Sequence, residues 1–329
     1  VISDTRTTIS RRTLLAAAAL SSVAVPLTAC GHAPTPAAST RKKVRLTYGI
    51  TSLAKSRGVF EKTLNAQGVD VEWIGPFPNH APTLQAVATN TADFSFGGSS
   101  TPAMQAILSG AKLKFVAWAA STPRTTSIIV LPSSGITSVA GLVGKTVAVN
   151  RAGVAEFVLV AALEKYNVPR DQVHVVYLNP PDAAPAFSNG KIDAWAIWSG
   201  PLELAEVQYG ARPIFEEGKE LNREIDFSSY LVRDDYAAQE PDTIRKVIHA
   251  HQAELAWADA HRNEAQAIAW AVTKYPPAVI EKIAERRVTS TLRFVDDDGV
   301  AQLQYASDWL FQHKVLSGVL DITEHSVRL

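Results

Sequence analysis

Three stretches of this chain place glycine, hydroxyl and amide residues directly ahead of a helix-forming run: Gly49-Ile50-Thr51-Ser52, Gly97-Gly98-Ser99-Ser100-Thr101-Pro102 and Asn150-Arg151-Ala152-Gly153-Val154-Ala155. In the second, Thr101 reads as a helix N-cap with Pro102 at the first helical position. That geometry turns backbone N–H groups and hydroxyls toward the loop, a donor set that holds an oxyanion without a full positive charge. The candidate anion contacts are therefore Thr51 and Ser52, then Gly98, Ser99, Ser100 and Thr101, then Arg151, Gly153 and Val154. The loop Gly75-Pro76-Phe77-Pro78-Asn79-His80 adds Phe77 and Asn79. Trp195, Trp198 and Tyr230 are further aromatic candidates. Two tryptophans three apart in a strand point to opposite faces, so one belongs to the core, and Trp198, at the strand end, is the better wall for a ligand's apolar part.

No catalytic set accompanies these loops. The sequence holds no Gly-x-Ser-x-Gly elbow, phosphate loop or His-Glu-x-x-His. His249 and His251 are two apart on a predicted helix, so they face away from each other and cannot share a metal. Asp296-Asp297-Asp298-Gly299 lacks the spaced ligands and terminal Glu of a calcium loop and reads as a helix cap, with Asp298 opening the last helix. Neither a metal nor a cofactor is expected.

The elements that must position the loops alternate between strand and helix. Lys43–Tyr48, Val69–Ile74 and Asp93–Phe96 read as strands, with a helix from Pro82 between the last two. The order returns with strands at 145–149, 173–176 and 192–198 and helices at 156–166 and 183–188. Ala86-Val87-Ala88 and Asp93 align at an offset of 100 with Ala186-Phe187-Ser188 and Asp193. Two such units predict two similar α/β lobes, each with a mostly parallel sheet. After about Tyr230 the chain turns helical. Pro241 starts one helix, Asn263 caps a second carrying Ile268 and Val272, and all of them are expected to pack mainly on the first lobe.

The first 30 residues read as an address. Ser10-Arg11-Arg12-Thr13-Leu14-Leu15 begins a charged and then apolar run that is too short to span a bilayer, and it ends in Leu27-Thr28-Ala29-Cys30. This looks like a lipobox, with Cys30 as the lipidated residue. The paired arginines fit a twin-arginine signal, with general secretory export as the alternative. Gly31–Thr40 is rich in Pro, Ala, Ser and Thr and reads as a flexible tether. The whole sequence of 329 residues has 32 basic and 32 acidic residues and one Cys. That balance argues against nucleic acid as a partner, and a lone Cys excludes a disulfide framework.

Asn179-Pro180-Pro181-Asp182-Ala183-Ala184-Pro185-Ala186-Phe187, followed by Gly190-Lys191-Ile192-Asp193-Ala194-Trp195-Ala196-Ile197-Trp198, resembles the sulfonate-binding proteins of ABC importers. That family includes taurine-, nitrate- and thiamine-precursor-binding relatives. The resemblance runs from about Val44 to the C-terminus. It implies a type II periplasmic-binding-protein fold: lobe I at 44–121 and 226–329, lobe II at 122–225, a tether at 31–43, and hinge crossings near 120–126 and 216–227. The implied function is extracytoplasmic capture of an alkyl or aryl sulfonate in the interlobe cleft, by a monomer tethered through Cys30, for delivery to a permease. Nitrate, a pyrimidine and an aromatic acid are the alternative ligands. This chain departs from the family's pattern in three places. The first-strand loop is shorter than usual, with Gly49-Ile50-Thr51-Ser52 running quickly into Ala54 and Lys55. Val154-Ala155 follows Gly153 where hydroxyls are usual, and Ser199-Gly200-Pro201 follows Trp198 where relatives often carry Asp-Pro-Tyr. Arg124 or Arg151 could compensate with charge-assisted bonds.

Overall fold

The computed structural model describes residues 41–329 apart from Arg287. Cys30 and the rest of the N-terminal segment lie outside the described residues. Eleven strands form two sheets. The first contains β1 (Lys42–Gly49), β2 (Val69–Phe77), β3 (Phe94–Ser99), β4 (Leu113–Thr122), β10 (Ser228–Arg233) and β11 (Thr289–Phe294). Its order is β11-β4-β10-β3-β1-β2. The second contains β5 (Ser127–Val130), β6 (Thr146–Val149), β7 (His174–Tyr177), β8 (Ala194–Ile197) and β9 (Arg212–Glu216), in the order β7-β6-β8-β5-β9. Lys42 and Lys43, which fall in the tether by sequence, are the first residues of β1.

The internal repeat is a structural one. β2-β1-β3-β10-β4 and β7-β6-β8-β5-β9 follow the same plan. Asp93 N–H donates to the Arg45 carbonyl at 2.9 Å, and Arg45 N–H donates to the Asp93 carboxylate at 2.8 Å. Asp193 and Thr146 make the same reciprocal pair at 2.9 and 2.8 Å. Each Asp thus locks the start of its strand to the strand beside it. The expected mostly parallel sheets are mixed instead. β1 pairs in parallel with β2 and β3, and β6 with β7 and β8. β10 and β5 run antiparallel to both their neighbours. The physical reason is connectivity: β5 and β10 are the strands that enter their sheet directly from the other one.

Among the described residues, thirteen α-helices cover the sheets. α1 (Leu53–Arg57), α2 (Val59–Ala66), α3 (His80–Ala88) and α4 (Ser100–Leu108) belong with the first sheet by sequence. α5 (Val154–Lys165), α6 (Pro180–Ser188), α7 (Pro201–Tyr209) and the single turn α8 (Glu217–Glu220) follow in the second. α9 (Asp234–Gln239), α10 (Pro241–Ala260), α11 (Arg262–Trp270), α12 (Pro277–Glu285) and α13 (Asp297–Gln312) complete the chain. α5 shows how burial shapes sequence: every residue from Ala155 to Leu163 is buried, and after Glu156 it reads as an unbroken apolar run.

The C-terminal helices pack mainly on the first lobe, as expected, with departures at α12, at the end of α13, at Val272 and at the cap of the last helix. α10 packs on α2 and β11, but α12 reaches the second lobe, where Arg286 pairs with Glu203 and Glu206 of α7. The end of α13 also crosses: Trp309 meets Phe157 edge-on at 5.4 Å, and His313 lies 2.9 Å from Glu164. Val272 is 61% exposed, because α11 ends at Trp270 and a tighter turn swings it outward. The last helix is capped by Asp296, whose carboxylate accepts from Gly299 N–H at 2.8 Å. Asp298 lies in the first turn and pairs with Arg293. No helix among the described residues is long and apolar enough to cross a membrane.

Candidate ligand cleft

Two short segments carry the chain between the sheets, 123–126 outward and 217–227 back. They are bonded to each other, Glu217 N–H to the Thr126 carbonyl at 2.9 Å and Gly218 N–H to the Arg124 carbonyl at 3.2 Å. Beside them opens a cleft of about 1350 Å³, lined by residues of both lobes. Thr51, Phe77, Asn79, Gly98, Ser99, Arg151, Val154 and Trp198 line it; Ser52, Ser100, Thr101 and Gly153 do not.

The four that stay out have local work. Ser52 caps α1, accepting from Lys55 N–H at 3.4 Å. Ser100 and Thr101 are fully buried and turn to a carboxylate of the chain itself. One oxygen of Asp226 accepts from the Ser99 hydroxyl at 2.6 Å, the Thr101 N–H at 2.9 Å, the Thr101 hydroxyl at 2.7 Å and the Ser100 hydroxyl at 3.4 Å. The helix end that reads as an oxyanion site therefore holds an internal anion. Gly153 begins α5, whose N-terminal region is also supplied from within. Asn150 accepts from Ala155 N–H at 3.3 Å and Glu156 from Ala152 N–H at 2.7 Å. Among the aromatic candidates, Trp195 is nearly buried, Trp198 is a partly exposed wall, and Tyr230 points into the core to bond His251 at 3.0 Å.

Both arginines named by sequence line the cleft. Arg151 spreads its guanidinium over the Tyr177 ring at 3.6 Å, a cation–π contact. Arg124 donates through Nη2 to the Leu221 carbonyl. Its Nη1 is buried with no hydrogen-bond partner among the described residues, and Glu217 Oε1 stands 4.0 Å away. Glu217, Glu224 and Asp226 complete this end of the cleft. Burial pushes Glu217 up to about 8, with Arg124 pulling less strongly the other way. Burial likewise lifts Glu224 to about 7 and raises Asp226 against the pull of its hydroxyl donors. None of the three acids stands out in the sequence. Each lies in the returning hinge segment, with no motif around it.

A His–Ser pair borders the cleft. His80 Nε2 lies 2.7 Å from Ser95 Oγ, and Nδ1 lies 2.7 Å from the Ser99 carbonyl. A carbonyl only accepts, so Nδ1 carries the proton and Nε2 accepts from Ser95. Ser95 is fully buried, outside the cleft lining, and also bonds Thr83 at 3.0 Å. The ring is held neutral, its pKa lowered to about 4 by burial. Gly98 permits this packing, since a Cβ there would fall 2.4 Å from the His80 ring. No group of metal-binding side chains occurs among the described residues.

Two α/β lobes of matching strand order, joined by paired crossings around a cleft, define a type II periplasmic-binding-protein fold. In three dimensions the chain is similar to the alkanesulfonate-binding protein SsuA from Xanthomonas axonopodis pv. citri, solved bound to MOPS: TM-score 0.79, 24% identity, covering 87% of this chain and 98% of that one. The same fold carries the desulfurization enzyme DSZB, at TM-score 0.61 and 14% identity over 87% and 96% of the two chains. In sequence, a protein of Bacillus subtilis (strain 168) that bears the name aliphatic sulfonates-binding protein is 28% identical over 273 residues, 83% of this chain and 80% of its own. The family model described as NMT1/THI5 like matches residues 49–265. The chain belongs to that family.

Proposed function

We propose that this protein is the extracytoplasmic solute-binding component of an ABC importer, and that it captures an organic sulfonate between its lobes. The observation that carries this reading is Arg124. Its guanidinium lines the cleft at a hinge crossing, with the Nη1 amino group buried and without a hydrogen-bond partner among the described residues. A buried donor without an acceptor is costly, and a ligand oxyanion supplies the acceptor through a charge-assisted bond. Thr51, Asn79 and Ser99 add polar groups, and Phe77 and Trp198 receive the organic part. The proposal extends to lobe boundaries at 121/122 and 225/226, a lipid anchor on Cys30, export by a twin-arginine or general secretory signal, and a monomer that hands its ligand to a permease. The reading is of a binder rather than an enzyme, since the buried Ser95 leaves His80 no reachable nucleophile to activate. Ligand capture draws the lobes toward a closed state.

A second reading, a pyrimidine ligand, draws support from Glu217, Glu224 and Asp226 beside the aromatic walls. Calorimetry separates the two. Heat with sulfonates that Arg124→Met reduces at least tenfold is the expected result. Silence with every sulfonate, together with binding of nitrate or a pyrimidine, would overturn the sulfonate reading.

A further inference from the structure

Beyond Trp198 the cleft continues under α11 and α12, and this end differs from the rest. Arg262, Ala265, Gln266, Ala269, Trp270 and Thr273 all line it. They fall at i, i+3, i+4, i+7, i+8 and i+11, so one whole stripe of α11 and its following turn faces the cleft. A helix stripe that packs against protein carries large apolar residues. This one carries two small residues, Ala265 and Ala269, both largely covered within the cleft wall, and a tryptophan beside them.

Trp270 is held in place from three sides. Its ring stacks on Tyr275 at 5.5 Å and 21°, and its indole N–H donates to Gln266 at 2.9 Å. The ring also rests on the backbone of Gly200 in the other lobe. Gly200 has φ +97, and a Cβ there would come within 2.2 Å of the ring. Only glycine combines that backbone with that approach. Trp198, Trp270 and Tyr275 therefore give the far end of the cleft aromatic walls. The charges nearby, Arg262 and Asp259, oppose each other at 3.9 Å, so this end calls for no second ionic group. With about 1350 Å³, the cleft is at or above the upper end of ordinary ligand pockets, roughly 300–1,000 Å³.

We propose that the organic part of the ligand is a flat aromatic ring system, so that the natural substrate class is arenesulfonates, and that Trp270 is the specificity-determining residue. This rests on the sulfonate reading above and deepens it. An aromatic ring gains from offset or edge-on contact with aromatic walls, roughly two- to tenfold in affinity beyond its buried area. A rigid ring also loses less rotational freedom on binding than an alkyl chain of equal carbon number. The sulfonate stays at the Arg124 end, and the ring reaches under α11.

The test is titration calorimetry of the purified chain with methanesulfonate, hexanesulfonate, benzenesulfonate and 2-naphthalenesulfonate. Benzenesulfonate is expected to bind at least threefold more tightly than hexanesulfonate, and 2-naphthalenesulfonate at least tenfold more tightly. Trp270→Ala is expected to weaken 2-naphthalenesulfonate at least tenfold and methanesulfonate less than twofold. Ala269→Phe, which fills the slot and leaves Trp270 in place, is expected to produce the same split. Hexanesulfonate binding as tightly as benzenesulfonate would overturn the proposal and leave sulfonate capture standing. So would a Trp270→Ala variant that weakens every ligand equally. Failure of all four sulfonates to bind would remove the sulfonate reading itself, and this inference with it.

Discussion

Arg124 and Glu217 set the electrostatics of the cleft floor. A hydrogen bond to a charged group is worth about 1.5–3 kcal/mol, so Arg124→Met should cost a sulfonate ligand roughly ten- to a hundredfold in affinity, read by calorimetry. Glu217 yields a pH prediction. Its carboxyl ordinarily titrates near 4.5, and burial lifts it to about 8 in the folded chain. The folded state therefore holds this proton more tightly than the unfolded one. The stability it contributes is complete below the ordinary value and is lost as pH rises through the raised one. Glu217→Gln should leave the melting temperature little changed near pH 4 and raise it relative to the parent near pH 9. A parallel shift at both pH values would show that the carboxyl stays ionised throughout. At this scale the sequence was legible where chemistry is local. Ser99, Asn79 and Trp198 read as cleft residues and line the cleft. Ser100 and Thr101 read the same way because their acceptor, Asp226, lies 125 residues beyond Thr101. Nothing in a local pattern announces such a partner.

Among the elements, α12 is the one whose position is set by ion pairs. Arg286 meets Glu203, which is fully buried, and Glu206, which Lys282 also approaches at 3.1 Å. Removing the arginine strands a buried carboxylate. Breaking such a pair from one side costs about 3–5 kcal/mol, so Arg286→Met should lower the urea midpoint by that equivalent. Replacing Glu203 and Arg286 together by apolar residues should restore much of the loss. The strands that the sequence made legible are the half-buried ones, β1 above all, where buried Val44 and Leu46 flank the more exposed Arg45. β4 gave no such signal: Phe115 to Ala119 are all buried, so both faces read alike. β11 was hidden for the opposite reason, since Thr289-Ser290-Thr291 is polar and carries a single buried residue, Leu292. Helix starts marked by proline, as at Pro241, were plain. The reach of α12 across the cleft was not, because it depends on charges 80 residues apart.

At the scale of the whole molecule, the duplicated strand order governs behaviour. Ligand that binds only the folded chain raises its stability by mass action, about 2.7 kcal/mol at a concentration one hundred times Kd. A melting temperature that climbs with sulfonate concentration, and is flat with sodium chloride at equal ionic strength, is the expected outcome. The overall architecture was legible because each lobe repeats one unit at a fixed offset. The antiparallel placement of β5 and β10 was not, since it arises from the crossings between lobes rather than from either unit. One contact ties these facts together. Asn79 caps α3, Asn179 begins α6, and the first donates to the second across the cleft at 2.9 Å. These are the same position in the two repeats. A point that touches its own image lies close to the axis relating the copies, so this bond marks where that axis passes near the chain. Motion of one lobe against the other can then be followed as a single number. Spin labels at 79 and 179 would report it directly, and a distance distribution that narrows toward contact as sulfonate is added is the expected trace.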